Sequence, residues 1–156
     1  MERRQFIALA ALGAAATSLP QRLAALTPAV APGTPIKVYK SPTCGCCKSW
    51  VSYMGQNGFQ VDAVDLDDNA LDAIKRRYGV PGALQSCHTA IAGKYVVEGH
   101  VPADLVHRIL RERPAALGLS VPGMVTGSPG MDGPNPQHYD VVIFQKDGSS
   151  RSYATR

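Results

Sequence analysis

Three cysteines fall within four positions: Cys44, Cys46 and Cys47, in SPTCGCCKSW. They stand between a short β-rich run, IKVYKS at 36–41, and a helical stretch from Cys46 to Asn57. A fold that accommodates them must hold a strand-to-helix turn in place and give its sulfurs a use. The one other cysteine, Cys87, lies in LQSCHTA. Three uses compete: a structural disulfide with spare thiols, a redox-active pair, and a nest for a soft metal.

The periodicities on either side of this turn set the architecture. Trp50, Val51 and Met54 share one face of the first helical stretch, and Asn57-Gly58 stops it. FQVDAVDL, 59–66, alternates apolar and polar residues as a strand does. DDNALDAIKRRYG opens with acidic residues and closes on Lys75, Arg76 and Arg77, matching a helix dipole, with Leu71, Ile74 and Tyr78 on its inner face. TAIAG and KYVVEGH, 89–100, read as a hairpin around Gly93. Pro102 then opens a helix whose Leu105, Val106, Ile109 and Leu110 point inward. The order β-α-β-α-β-β-α is that of an α/β thioredoxin-like fold, a mixed sheet with flanking helices. Such a fold brings the first strand–helix turn and the segment before the third strand to one end of the sheet, so all four cysteines are expected to converge. After the last helix, 118–137 is a Gly/Pro/Met-rich loop carrying Pro122-Gly123-Met124 and Pro129-Gly130-Met131 seven residues apart. A loop of this length inside a compact domain is commonly functional. YDVVIFQKDG, 139–148, reads as a final strand and turn, and 149–156 as a tail.

Cys44 and Cys47 form a CxxC pair at a helix start, where backbone N–H groups favour thiolate. That suits redox work and metal binding alike. Cys46 leans toward metal, because a dithiol cycle uses two thiols and a third invites wrong pairing, whereas thiolates can bridge ions. Thiolate and thioether donors select Cu(I). Cys87 supplies a fourth sulfur, Met124 and Met131 are candidate thioethers, and His88 and His100 are candidate imidazoles. His107, inside a helix, reads as a surface residue; His138 is assigned no role. Met54 is expected in the core behind the site. The competing enzyme reading is a thiol–disulfide oxidoreductase with Cys44 attacking and Cys47 resolving. Against it, the segment before the third strand is Gln85-Ser86-Cys87-His88, where such enzymes usually place a cis-proline. An iron–sulfur centre fits three thiols in four residues badly. Two structural disulfides remain the plainest alternative.

Residues 1–31 read as an export signal: Arg3 and Arg4, an apolar run from Phe6 to Leu19, then Ala29 and Ala31 at cleavage spacing. Arg3-Arg4 followed by Gln5-Phe6 resembles a twin-arginine signal. An ordinary secretory signal is the competing reading, and the apolar run is short for a membrane span of about 20 residues. Residues 32–35 read as a linker and 36–148 as the metal-binding domain. The net charge of +4 falls to about +2 without residues 1–31, too mild for a nucleic-acid partner, and no basic stripe appears.

CGCCKSW, SCHTA, VEGHVPA and VPGM…GSPGM, in this order, resemble the CopG-type periplasmic copper-resistance proteins. The resemblance spans roughly 36–148. It implies a thioredoxin-like fold, export to the periplasm, copper as the bound ion, and other periplasmic copper-handling proteins as partners. By position it carries over Cys44, Cys46, Cys47, Cys87, His88, His100, Met124 and Met131 as metal-site residues. It does not choose between storage, delivery and redox conversion, and so leaves open whether the protein is an enzyme.

Overall fold

The computed structural model describes residues 33–156; the expected export signal lies outside them. Seven strands and three helices follow in the order β1 (Thr34–Lys40), α1 (Gly45–Gln56), β2 (Phe59–Asp65), α2 (Asp68–Arg77), β3 (His88–Ala92), β4 (Tyr95–Glu98), α3 (Ala103–Glu112), β5 (Gly118–Ser120), β6 (Asp140–Phe144) and β7 (Ser150–Thr155). They form one mixed sheet in the order β2-β1-β3-β4-β5-β6-β7. Its first four strands are the thioredoxin-like part. β1 runs parallel to β2 and antiparallel to β3, and β3 and β4 form the expected hairpin, with Gly93 at a φ of +57° in its turn.

Each helix follows from its sequence. α1 begins at Cys44, whose sulfur accepts the Cys47 N–H at 3.3 Å. Trp50 and Met54 leave it for the core, fully buried. α2 is capped by Asp67, which accepts from Ala70 N, and ends on its three basic residues. α3 buries Leu105, Val106 and Ile109 and stops at Arg113, which adopts a left-handed conformation with a φ of 50°. The apolar faces of α1 and α3 meet Ile36, Val38, Ala90, Val97 and Leu119 in one core.

Three boundaries differ from the sequence reading, all through sheet pairing. Thr34 and Pro35, read as linker, begin β1 opposite Phe59 and Gln60. The first residues of the long loop, Gly118–Ser120, form β5 parallel to β4. They are too few to show alternation, and Gly118 is there because a Cβ would lie 2.0 Å from the Val96 carbonyl oxygen. The expected tail forms β7, antiparallel to β6. Its residues are largely polar and exposed, as an edge strand's are, so no apolar run announced it. Among the described residues, no helix is long and apolar enough to cross a membrane.

Candidate metal centre

The α1 turn and the segment entering β3 bring all four cysteines together. One ligand atom from each of Cys44, Cys46, Cys47 and Cys87 lies within 4.8 Å of the others. Cys44 and Cys47 are joined as a disulfide, while Cys46 and Cys87 are free. Cys46 Sγ is 3.4 Å from Cys44 Sγ. Two of the four sulfurs expected as thiolates are therefore bonded to each other in this form. Cys47 is fully buried; the other three sit at the surface end of the cluster, partly exposed.

A second set overlaps the first through Cys87. Cys87, His88 and His100 also bring one ligand atom each within 4.8 Å of one another. His100 Nδ1 is 2.8 Å from the Pro129 carbonyl oxygen, to which it must donate, so its proton sits on Nδ1. Nε2 is left as a lone-pair donor, 3.1 Å from Cys87 Sγ. A backbone carbonyl holding one ring nitrogen while the other faces the site is the usual arrangement of a metal-binding imidazole. His88 is completely buried between Trp50, with ring centroids 4.4 Å apart, and His100, at 4.9 Å. Its Nδ1 is 3.5 Å from Cys87 Sγ, and its Nε2 has no hydrogen-bond partner. A buried ring nitrogen without a partner is costly, and His88 Nε2 is such an atom, while Nδ1 is the ring nitrogen near Cys87.

The electrostatics favour neutral imidazoles. Burial lowers His88 well below the ordinary histidine range, and the neighbouring His100 and Lys75 push the same way. Burial also lowers His100, opposed by its bond to Pro129. Burial, with Cys46 nearby, pushes the Cys87 thiol up to about 12. An apolar pocket that disfavours a bare thiolate is one in which a cation on the sulfur offsets the penalty.

The two Pro-Gly-Met segments lie on either side of this cluster. Gly123 N–H donates to the Gln85 carbonyl, and the Ser86 hydroxyl donates to the Gly123 carbonyl at 2.5 Å. Gly130 rests on α1, where a Cβ would stand 2.7 Å from Trp50 N and 3.0 Å from the Cys46 carbonyl. The backbone thus ties one repeat to the Cys87 arm and the other to the Cys44–Cys47 turn. Met124 is 54% exposed and Met131 partly so; neither thioether is buried in the site.

His107 is partly exposed on α3, in line with its reading as a surface residue, but it has partners. Its ring stacks on Phe59 at 4.2 Å and its Nε2 meets the Asn57 carbonyl at 2.9 Å, where it closes the α1–β2 turn. His138 is exposed, its Nδ1 3.3 Å from the Arg156 carbonyl oxygen. Met54 packs in the core, as expected. The sequence reading missed the Pro129 carbonyl and a buried Lys75–Glu98 pair. Lys75 follows Leu71 by four residues, on the inner stripe of α2, and Glu98 interrupts the apolar strand YVVE; those two misfits were the available signals.

Two solved structures share this fold. One titled copper resistance protein copG, form 1, is 39% identical, covering 80% of this chain and 98% of its own, with a TM-score of 0.73. This chain belongs to the CopG copper resistance protein family. The form 2 structure gives 39% identity, 78% and 97% coverage, and a TM-score of 0.71. The glutaredoxin family matches residues 36–83 of this CopG-family chain, and a family described as a protein of unknown function, DUF411, matches 84–131. The junction between the two falls in the short 3₁₀ turn Gly82–Leu84, just before the Cys87 arm. A comparison with curated proteins found no match.

Proposed function

We propose that this protein is an exported copper-binding protein that holds Cu(I), in more than one ion when fully loaded, in copper resistance or homeostasis. The observation that carries the reading is the convergence of four sulfurs within 4.8 Å from two distant segments, with His100 Nε2 already free of its proton beside Cys87. Thiolates are soft donors that select Cu(I) and can bridge neighbouring ions. Cys44, Cys47 and Cys87 act as core thiolates and Cys46 as a further or bridging one. His100 and His88 supply nitrogen donors, and Met124 and Met131 supply thioethers from the loop. The likeness to the two copper resistance protein copG structures supports copper as the ion. Export by a twin-arginine route would place the protein in the periplasm, where it lowers free copper or passes it to other copper-handling proteins.

Full use of the four sulfurs requires the Cys44–Cys47 bond to be opened. Two electrons and two protons from a thiol reductant convert it to two thiols, which release their protons as metal binds. The test is an anaerobic Cu(I) titration against a competing chelator, on reduced protein and on protein with the disulfide intact. Reduced protein should take up more copper per chain, and more tightly, than the oxidised form. No uptake by reduced protein would refute the reading.

The Cys44–Cys47 disulfide leaves thiol–disulfide oxidoreduction as the competing reading, one that the similar copper resistance structures do not favour. That cycle has no step for Cys46. Reductase activity that survives Cys46→Ser, with copper binding unchanged, selects the enzyme. Copper lost in Cys46→Ser selects the binder.

A further inference from the structure

Beneath the cysteine cluster lies a charged network that metal binding itself does not use. Lys75 of α2 and Glu98 of β4 form an ion pair at 2.5 Å, with side chains 4% and 0% exposed. Glu98 reaches the Cys87 arm from below with both oxygens. Oε1 accepts the Ser86 backbone N–H at 2.8 Å, and Oε2 accepts the Thr89 hydroxyl at 2.6 Å. Lys75 Nζ also donates to Thr89 Oγ1 at 3.1 Å. One carboxylate therefore grips the residues immediately before and after Cys87-His88. Gly99 makes room for this arrangement, because a Cβ there would come within 2.6 Å of Ser86 and of the Val121 carbonyl. Its own N–H holds the His88 carbonyl at 3.0 Å.

A buried ion pair is a poor stability device. Desolvation offsets much of its attraction, and a well-packed apolar pair often does as well. What the pair supplies here is geometry: two fixed carboxylate oxygens that accept from donors three residues apart on the segment that carries Cys87 and His88. We infer that Lys75, Glu98 and Thr89 are positioning residues that set the Cys87-His88 arm at ligand distance from the α1 cysteines. The inference rests on the copper-site reading above. The network touches neither metal nor sulfur and acts through Ser86 and Thr89. Partners behind metal ligands commonly change affinity by about 10–100-fold when removed.

The decisive variants are Thr89→Val, which keeps the shape and removes the hydroxyl, and Thr89→Ser, which restores it. A double variant, Lys75→Met with Glu98→Gln, removes both charges without leaving one buried alone. Cys87→Ser serves as the control for the site. On reduced protein, Cu(I) affinity is measured by chelator competition, and Cd(II) serves as a spectroscopic probe whose thiolate charge-transfer absorption counts bound sulfurs. Circular dichroism checks the fold. Thr89→Val should weaken Cu(I) by about tenfold and lose the absorption contributed by one thiolate, as Cys87→Ser does. Thr89→Ser should recover both, and the double variant should resemble Thr89→Val. A loss in Cys87→Ser, with wild-type affinity and sulfur count in folded Thr89→Val, overturns the positioning role alone. Unchanged binding in Cys87→Ser overturns the site reading and the positioning role with it. If the double variant does not fold, the Thr89 pair still decides.

Discussion

Gly130 shows how much of the site depends on a single position. Its φ of +81° and the 2.7 Å approach to Trp50 N leave no space for a side chain. Gly130→Ala should therefore lift the second Pro-Gly-Met segment off α1 and break the bond from His100 to the Pro129 carbonyl. Without that bond the His100 ring is free to rotate, and either nitrogen can carry the proton. The expected outcome is a weaker copper complex, by about tenfold on the scale of lost partners behind metal ligands, with the helix content of the protein retained. Chelator competition and circular dichroism check the two halves of that statement. The methionines make a separate prediction. Met124→Leu and Met131→Leu keep nearly the same volume, so stability should change by less than about 1.5 kcal/mol. A fall in copper affinity or stoichiometry in either variant identifies that sulfur as a ligand; unchanged binding in both removes the thioethers from the site.

Among the elements, β7 is the one whose docking can be titrated. Tyr153 hydrogen-bonds Glu112 of α3 at 2.9 Å, and Arg108 of the same helix lies over its ring at 4.5 Å. Burial, with the bond to Glu112 adding to it, pushes the Tyr153 phenol up to about 12. An unfolded tyrosine ionises near pH 10. Between about pH 10 and 12 the unfolded chain loses this proton while the folded one keeps it, so the contribution is present below pH 10 and is lost as pH rises. The group is partly exposed, which limits the effect to about 0.5–1 kcal/mol. Tyr153→Phe should show a shallower loss of stability over that window than the wild type, measured by urea unfolding at a series of pH values. An identical slope in the two proteins would mean that β7 is not docked through this residue.

For the whole molecule, the proposed copper binding should be linked to the fold through the disulfide. An ion that binds the native state more tightly than the unfolded chain raises stability by about 2.7 kcal/mol at a hundred times its Kd. Unfolded thiolates also bind Cu(I), so the observed gain should be smaller. Reduced protein should melt several degrees higher on loading, and oxidised protein should respond less, because Cys44 and Cys47 are bonded to each other. Anaerobic calorimetry of the two forms, with and without Cu(I), measures the difference. Equal shifts in both forms would place the copper away from those two sulfurs.

Elements with strong local periodicity or punctuation were legible in the chain before it folds. Trp50 and Met54 repeat at helical spacing, α2 opens on acidic residues and closes on basic ones, and Gly93 turns the β3–β4 hairpin; all three are read within a few residues. From those elements the thioredoxin-like order followed, and with it the meeting of Cys87 with Cys44–Cys47. Short strands without a local signature were not legible. β5 has three residues and β7 is polar, and each exists because a neighbouring strand offers it hydrogen-bond partners. The finer chemistry of the site was also decided by tertiary contacts. Pro129 sets the proton position on His100 from 29 residues away, and Glu98 meets Lys75 across 23. Local spacing can nominate a histidine or flag a lysine on an apolar stripe. Only the folded chain supplies the partner that says which nitrogen is free and why a buried charge is tolerated.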